Sequence, residues 1–122
     1  MKGFYVLCFA LFAAVYCKET YSSENDDLDI EALVGNIDSL KAFIGCFLET
    51  SPCDAVSGDF KKDIPEAVAE ACGKCTPAQK HLFKRFLEVV KDKLPQEYEA
   101  FKTKYDPQGK HFDALLSAVA NS

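Results

Sequence analysis

The chain has 122 residues, enough for one domain around one hydrophobic core, which excludes a multidomain enzyme or a repeat array. Hydrophobic residues make up 48% and charged residues 27%, the balance of a globular protein rather than a disordered, collagenous or multi-span membrane chain. A net charge of -5 argues against nucleic acid as a partner, because phosphate binding depends on Lys and Arg neutralising a polyanion.

Residues 1–17 read as a secretory signal peptide. Met1-Lys2-Gly3 provides a positive start, residues 4–16 (FYVLCFALFAAVY) are uncharged and apolar, and polarity returns at Lys18-Glu19. The apolar run is shorter than the roughly 20 residues a membrane helix needs, so stable membrane insertion is not expected. Cleavage is expected after Cys17, with Ala14 or a site a few residues further on as alternatives. Residues 18–122 would then form one exported, acidic domain, and Cys8 and Cys17 would leave with the leader.

Residues 18–28 (KETYSSENDDL) are polar and aperiodic and read as a loose arm. Beyond them the apolar residues recur at helical spacing. Ile30, Leu33 and Val34 mark a first short helix, and Ile37, Leu40, Ile44, Phe47 and Leu48 a second. A third carries Phe60, Ile64, Val68, Ala71 and Cys72, starting at Ser57-Gly58 or Asp59, with Pro65 either kinking it or beginning its regular part. The fourth opens with Thr76, Pro77 and Gln79, a capping box with proline at the first helical position. Its apolar stripe (Leu82, Phe83, Phe86, Leu87, Val89, Val90, Leu94) runs to Pro95, a length of roughly 27 Å that should cross the whole core. Tyr98, Phe101 and Tyr105 predict a fifth helix. Asp106-Pro107-Gln108-Gly109 predicts a turn, and Phe112, Leu115, Leu116 and Val119 a sixth helix. No window alternates as a strand would, so the fold class is all-α, six short helices in one domain.

Cys46, Cys53, Cys72 and Cys75 remain after the leader is removed, and in an exported chain they read as disulfides. Three pairings are possible, and geometry favours the local one. Cys53 follows a Thr-Ser-Pro turn that can fold back to Cys46, while Gly73 permits the bend a Cys72–Cys75 bridge needs. Bridges this short contribute about 2 to 2.5 kcal/mol each in the chain-entropy picture and lock corners without stapling distant helices together. Two weaker readings are a zinc site built from all four cysteines and a redox CxxC; the first spacing does not fit zinc, and no βαβ pattern accompanies the second.

The cysteine spacing C-x6-C-x18-C-x2-C, the DIEALVGN, FIGCFLETSPC and KKDIPEAVAEACGKCTPAQK stretches and the KYDPQG turn resemble the insect chemosensory proteins, the family related to olfactory-segment protein D. The resemblance spans residues 24–112. It implies a secreted, six-helix protein with two local disulfides around a hydrophobic channel that takes long-chain lipids, pheromone-like compounds and other apolar small molecules. Two positions depart from the family pattern: Tyr98 stands where a tryptophan is frequent, and His111-Phe112 replaces an aromatic after the turn. A smaller, hydroxylated ring at Tyr98 alters expected pocket depth and polarity.

The phenylalanines Phe43, Phe47, Phe60, Phe83, Phe86, Phe101 and Phe112 serve packing first, as Phe is among the residues most often buried. A cavity is expected because the second and fourth helices carry apolar faces wider than one neighbour can cover. Its expected lining is Phe43, Phe47, Ile64, Val68, Phe86, Leu87, Val90, Tyr98 and Phe101. A drug-sized void of roughly 300 Å³, left empty at roughly 24 cal/mol per Å³, would cost about 7 kcal/mol. Whole small domains are stable by about 5 to 15 kcal/mol. The free cavity should therefore be partly collapsed, or occupied by adventitious lipid, and should swell around a guest.

Nothing points to catalysis, a metal or a cofactor. His81 lies beside Lys80 and Lys84 and His111 follows a turn, so both read as solvated surface residues, as do Glu97, Glu99, Asp26 and Asp27. No nucleophile elbow, phosphate loop or zinc-protease motif occurs. The function expected is that of a monomeric, secreted carrier of small hydrophobic ligands for chemosensory transport. The alternative is an extracellular developmental or immune interaction protein in which ligand binding is secondary.

Overall fold

The computed structural model describes residues 20–122; the expected leader over residues 1–17 lies outside the described residues. The elements are α1 (Ile30–Val34), α2 (Ile37–Leu48), α3 (Ala55–Ala69), α4 (Pro77–Lys93), α5 (Pro95–Tyr105) and α6 (Phe112–Val119), with no strand among the described residues.

Local chemistry accounts for most of the helix starts. The Asp29 carboxylate accepts from the Ala32 amide to begin α1, and Asn36 Oδ1 accepts from the Asp38 and Ser39 amides to begin α2. Thr76 and Gln79 form the expected capping box at α4, each side chain taking the other's backbone amide. A second capping box, Asp54 with Ser57, starts α3 earlier than expected. There the acid is the cap and serine the third helical residue, the reverse of the familiar serine-to-glutamate pattern. Pro65 does not begin a new segment: α3 runs through it, forgoing only the bond a residue-65 amide would have made to Lys61. Pro95 ends α4 and occupies the first turn of α5, where its missing N–H costs nothing. The start of α6 is capped from a distance, the buried Asp106 carboxylate accepting from the amides of Lys110, His111 and Phe112 at 2.9–3.0 Å.

The disulfides Cys46–Cys53 and Cys72–Cys75 close two corners. At the first, the Gly45 carbonyl accepts from the Thr50 and Ser51 amides, and a Cβ at Gly45 would come within 2.9 Å of the Ser51 Cβ. Glycine is needed there for close approach. At the second corner the expected hinge was wrong. Gly73 is not in the left-handed region; the bend is made by Ala71 (φ 52°) and Cys72 (φ 60°). Gly73 instead admits the Glu70 carbonyl, which a Cβ would approach to 3.2 Å.

α4, the longest helix, packs against α1, α5 and α6, while α2 packs against α1, α3 and α5. Aromatic rings run through the core: Phe86 to Phe47 (5.4 Å), Phe47 to Phe101 (6.4 Å) and Phe101 to Phe112 (6.1 Å). The Tyr105 hydroxyl donates to the Phe47 carbonyl at 2.6 Å and ties α5 to α2.

Candidate functional site

An apolar cavity opens between α1, α2, α3 and α4. α1 contributes Ile30 and Leu33, α2 contributes Phe43 and Phe47, and α4 contributes Leu82, Phe83 and Phe86. α3 contributes Phe60, Asp63, Ile64 and Ala67, spaced i, i+3, i+4 and i+7, so one helical stripe carries both the greasy wall and its one carboxylate. The deep side is buried at Phe47, Ile64, Ala67 and Phe86, whereas Tyr21, Phe43, Phe60 and Phe83 are half-buried and border the solvent. The free volume is about 70 Å³. At roughly 24 cal/mol per Å³ a sealed void of that size would cost about 1.7 kcal/mol, an upper bound for a cavity that borders the solvent, and one a small domain tolerates.

The polar arm closes one side, contrary to its expected looseness. Tyr21 and Leu28 line the cavity. The Tyr21 amide donates to the Lys74 carbonyl (2.9 Å), its hydroxyl to Glu66 (2.9 Å), and the Ser22 carbonyl accepts from Gln79 Nε2 (2.8 Å). Thr76, the α4 cap, donates its hydroxyl to Asp26, and Asn25 donates to Asp59. The arm is thus latched to the same Thr76–Gln79 box that starts α4. These partners lie 34–57 residues from the arm, beyond the reach of any local pattern.

Burial, the Glu66 hydrogen bond and nearby acids together raise the pKa of the Tyr21 phenol, so it remains a neutral donor. The Glu66 carboxyl is held down by Tyr21 and then Lys74. Asp63 is shifted up, chiefly by burial; Lys62 opposes this, while Glu66 and Asp59 add to it.

Of the nine residues expected to surround a ligand, Phe43, Phe47, Ile64 and Phe86 line this cavity. Val68, Leu87, Val90, Tyr98 and Phe101 are elsewhere in the sealed core, at 0–4% exposure. Helical periodicity shows that α3 and α4 carry wide apolar stripes, but not which edge of a stripe faces which neighbour. Tyr98 meets Phe112 edge-on at 5.9 Å, with the Lys91 and Lys102 ammonium groups about 5.8 and 5.7 Å from its ring. Its hydroxyl therefore adds no polarity to this cavity. The sequence did contain a signal for Asp63: an acid at the i+3 position of the Phe60–Ile64–Ala67 stripe, where hydrophobic residues belong.

A broader depression of about 470 Å³ lies among Cys53, Lys61, Pro65, Lys104 and Tyr105. Charged side chains ring it, and Glu49 spans it with salt bridges to Lys61 (2.9 Å) and Lys104 (3.0 Å), so a guest there would have to displace a solvated ion-pair network. His81 and His111 are exposed. Among the described residues no cluster of three or more His, Cys, Asp or Glu could hold a metal ion, and no helix is long and apolar enough to cross a membrane.

Comparison with known proteins bears on this geometry. The profile of the insect pheromone-binding family, A10/OS-D, matches residues 21–113. Allergen Tha p 1 of Thaumetopoea pityocampa is 29% identical over 84% of this chain and 83% of its own length. Ejaculatory bulb-specific protein 3 of Drosophila melanogaster is 22% identical over 88% of this chain and 85% of its own. A solved chemosensory protein in complex with bromo-dodecanol superposes with a TM-score of 0.73 at 21% identity, covering 84% of this chain and all of that one, so the two share the six-helix fold.

Proposed function

Since the chain belongs to the insect pheromone-binding family, A10/OS-D, we propose that it is a secreted carrier whose guest is a long-chain, mostly apolar small molecule held between α1, α2, α3 and α4. The observation that carries this reading is an aromatic-walled cavity, bordered by half-buried rings and closed on one side by a hydrogen-bonded arm. The structural neighbour that holds bromo-dodecanol supports the same class of guest.

A volume of about 70 Å³ is well below the roughly 300 Å³ at which ligand pockets begin. Binding must therefore enlarge the cavity. Opening it to 300 Å³ without a guest would cost about 5.5 kcal/mol more, so the enlarged form is populated only when filled. Both disulfides are local and leave the interfaces among the four walls free to part. The guest's own apolar burial, at about 25 cal/mol per Å², offsets the expansion.

Delipidated protein should show a higher melting midpoint with dodecanol than without it, by about 2.7 kcal/mol of stabilisation at a hundredfold excess over Kd. An unchanged midpoint, together with no displacement of a fluorescent apolar probe, would remove the carrier reading. Chemosensory transport is the setting we favour. The Drosophila relative's name points to the ejaculatory bulb, which is not a sensory organ, so a non-sensory setting is kept as the second reading: an extracellular interaction role, developmental or immune, in which ligand binding is secondary. Tissue expression separates them, since restriction to sensory organs supports the first and broad or embryonic expression the second.

A further inference from the structure

Asp63 is the one formally charged residue among the described residues lining the cavity. The other polar groups there are committed. The Gln79 amide accepts from the Thr76 N–H at 3.0 Å and donates to the Ser22 carbonyl at 2.8 Å, and the Tyr21 hydroxyl donates to Glu66 at 2.9 Å. No hydrogen bond or ion pair reaches the Asp63 carboxylate from the described residues. Asp63 is half-buried on an otherwise greasy wall, so a guest that displaces water from its carboxylate must replace the hydrogen bonds lost.

The surroundings select the partner. Asp59 and Glu66 on α3 add negative potential at Asp63, against Lys62 alone on the positive side, and the arm presents only the neutral Tyr21 phenol. A second carboxylate brought to this point would be repelled and left without a donor.

Building on the carrier reading, we propose that Asp63 is the head-group subsite of the cavity. Its carboxylate accepts a hydrogen bond from the hydroxyl or amine of a long-chain guest whose tail lies against Phe43, Phe47, Ile64 and Phe86. The protein thereby favours alcohols and amines over fatty acids of the same length. A hydrogen bond accepted by a carboxylate is one of the stronger kinds, whereas a fatty acid of the same length brings a second negative charge and no donor at neutral pH. Discrimination of about tenfold follows.

The test is displacement of N-phenyl-1-naphthylamine by dodecane, dodecanol, dodecylamine and dodecanoate at neutral pH, in the wild type and in Asp63→Leu and Asp63→Asn. The wild type should bind dodecanol and dodecylamine about tenfold more tightly than dodecanoate. Asp63→Leu should lose that preference while keeping or improving its affinity for dodecane, and Asp63→Asn should tighten dodecanoate. If dodecane displaces the probe but the head-group ratios are the same in all three proteins, the Asp63 assignment fails and the carrier reading stands. If nothing displaces the probe from the wild type, both fail together.

Discussion

Ala67 offers a way to separate the cavity's cost from its use. It is 3% exposed, lies on α3 one turn beyond Asp63 and Ile64, and faces the void. Ala67→Leu adds three carbons to that wall. Filling the void of about 70 Å³ recovers at most about 1.7 kcal/mol. Ordering the new side chain costs roughly 0.5 to 1 kcal/mol, so the net gain is about 1 kcal/mol. In a domain of this size that raises the melting midpoint by about 4 °C. The same leucine occupies the space through which the cavity must expand, so dodecanol should no longer raise the midpoint. The assay is thermal denaturation of delipidated protein followed by far-ultraviolet circular dichroism, with and without dodecanol, wild type against variant. A variant that melts lower than the wild type yet still responds fully to dodecanol would show that the void is not where the guest lies.

Thr76→Ala removes both the α4 cap and the arm's contact with Asp26; it should cost about 1 kcal/mol in denaturant unfolding and raise the rate at which bound probe dissociates, measured by stopped flow. Replacing both cysteines of a bridge by serine should cost about 2 kcal/mol for Cys72–Cys75 and about 2.5 kcal/mol for Cys46–Cys53, whose loop is longer; an effect above 5 kcal/mol on either would contradict their role as local corner locks. Hydrogen bonds from Lys61 and then Lys104 hold the Glu49 carboxyl down to about 2, from an ordinary 4.5. A depressed carboxyl contributes stability above its unfolded pKa and loses it as pH falls toward the folded one. The midpoint difference between wild type and Glu49→Gln should therefore be level above about pH 5 and shrink steadily toward pH 2, and a difference independent of pH across that window would refute the assignment.

The chain's local chemistry determined the all-helical class, the number of helices, the Thr76–Gln79 start of α4, the turn at Asp106 and the two short bridges. Each follows from spacing, caps or loop length within a few residues. Tertiary structure alone decided where the cavity lies. A wide stripe tells that Phe86 and Leu87 are both buried, but only the placement of α1 and α3 sends Phe86 to the cavity and Leu87 into the sealed core. The arm shows the same limit from the polar side: Tyr21, Ser22 and Asp26 look solvated until α3 and α4 bring Glu66, Gln79 and Thr76 within hydrogen-bond reach. Asp63 stands between the two cases, an acid out of place in its stripe whose meaning depends on the greasy space it faces. Periodicity is a property of one helix, whereas a binding site is a property of the angles among several.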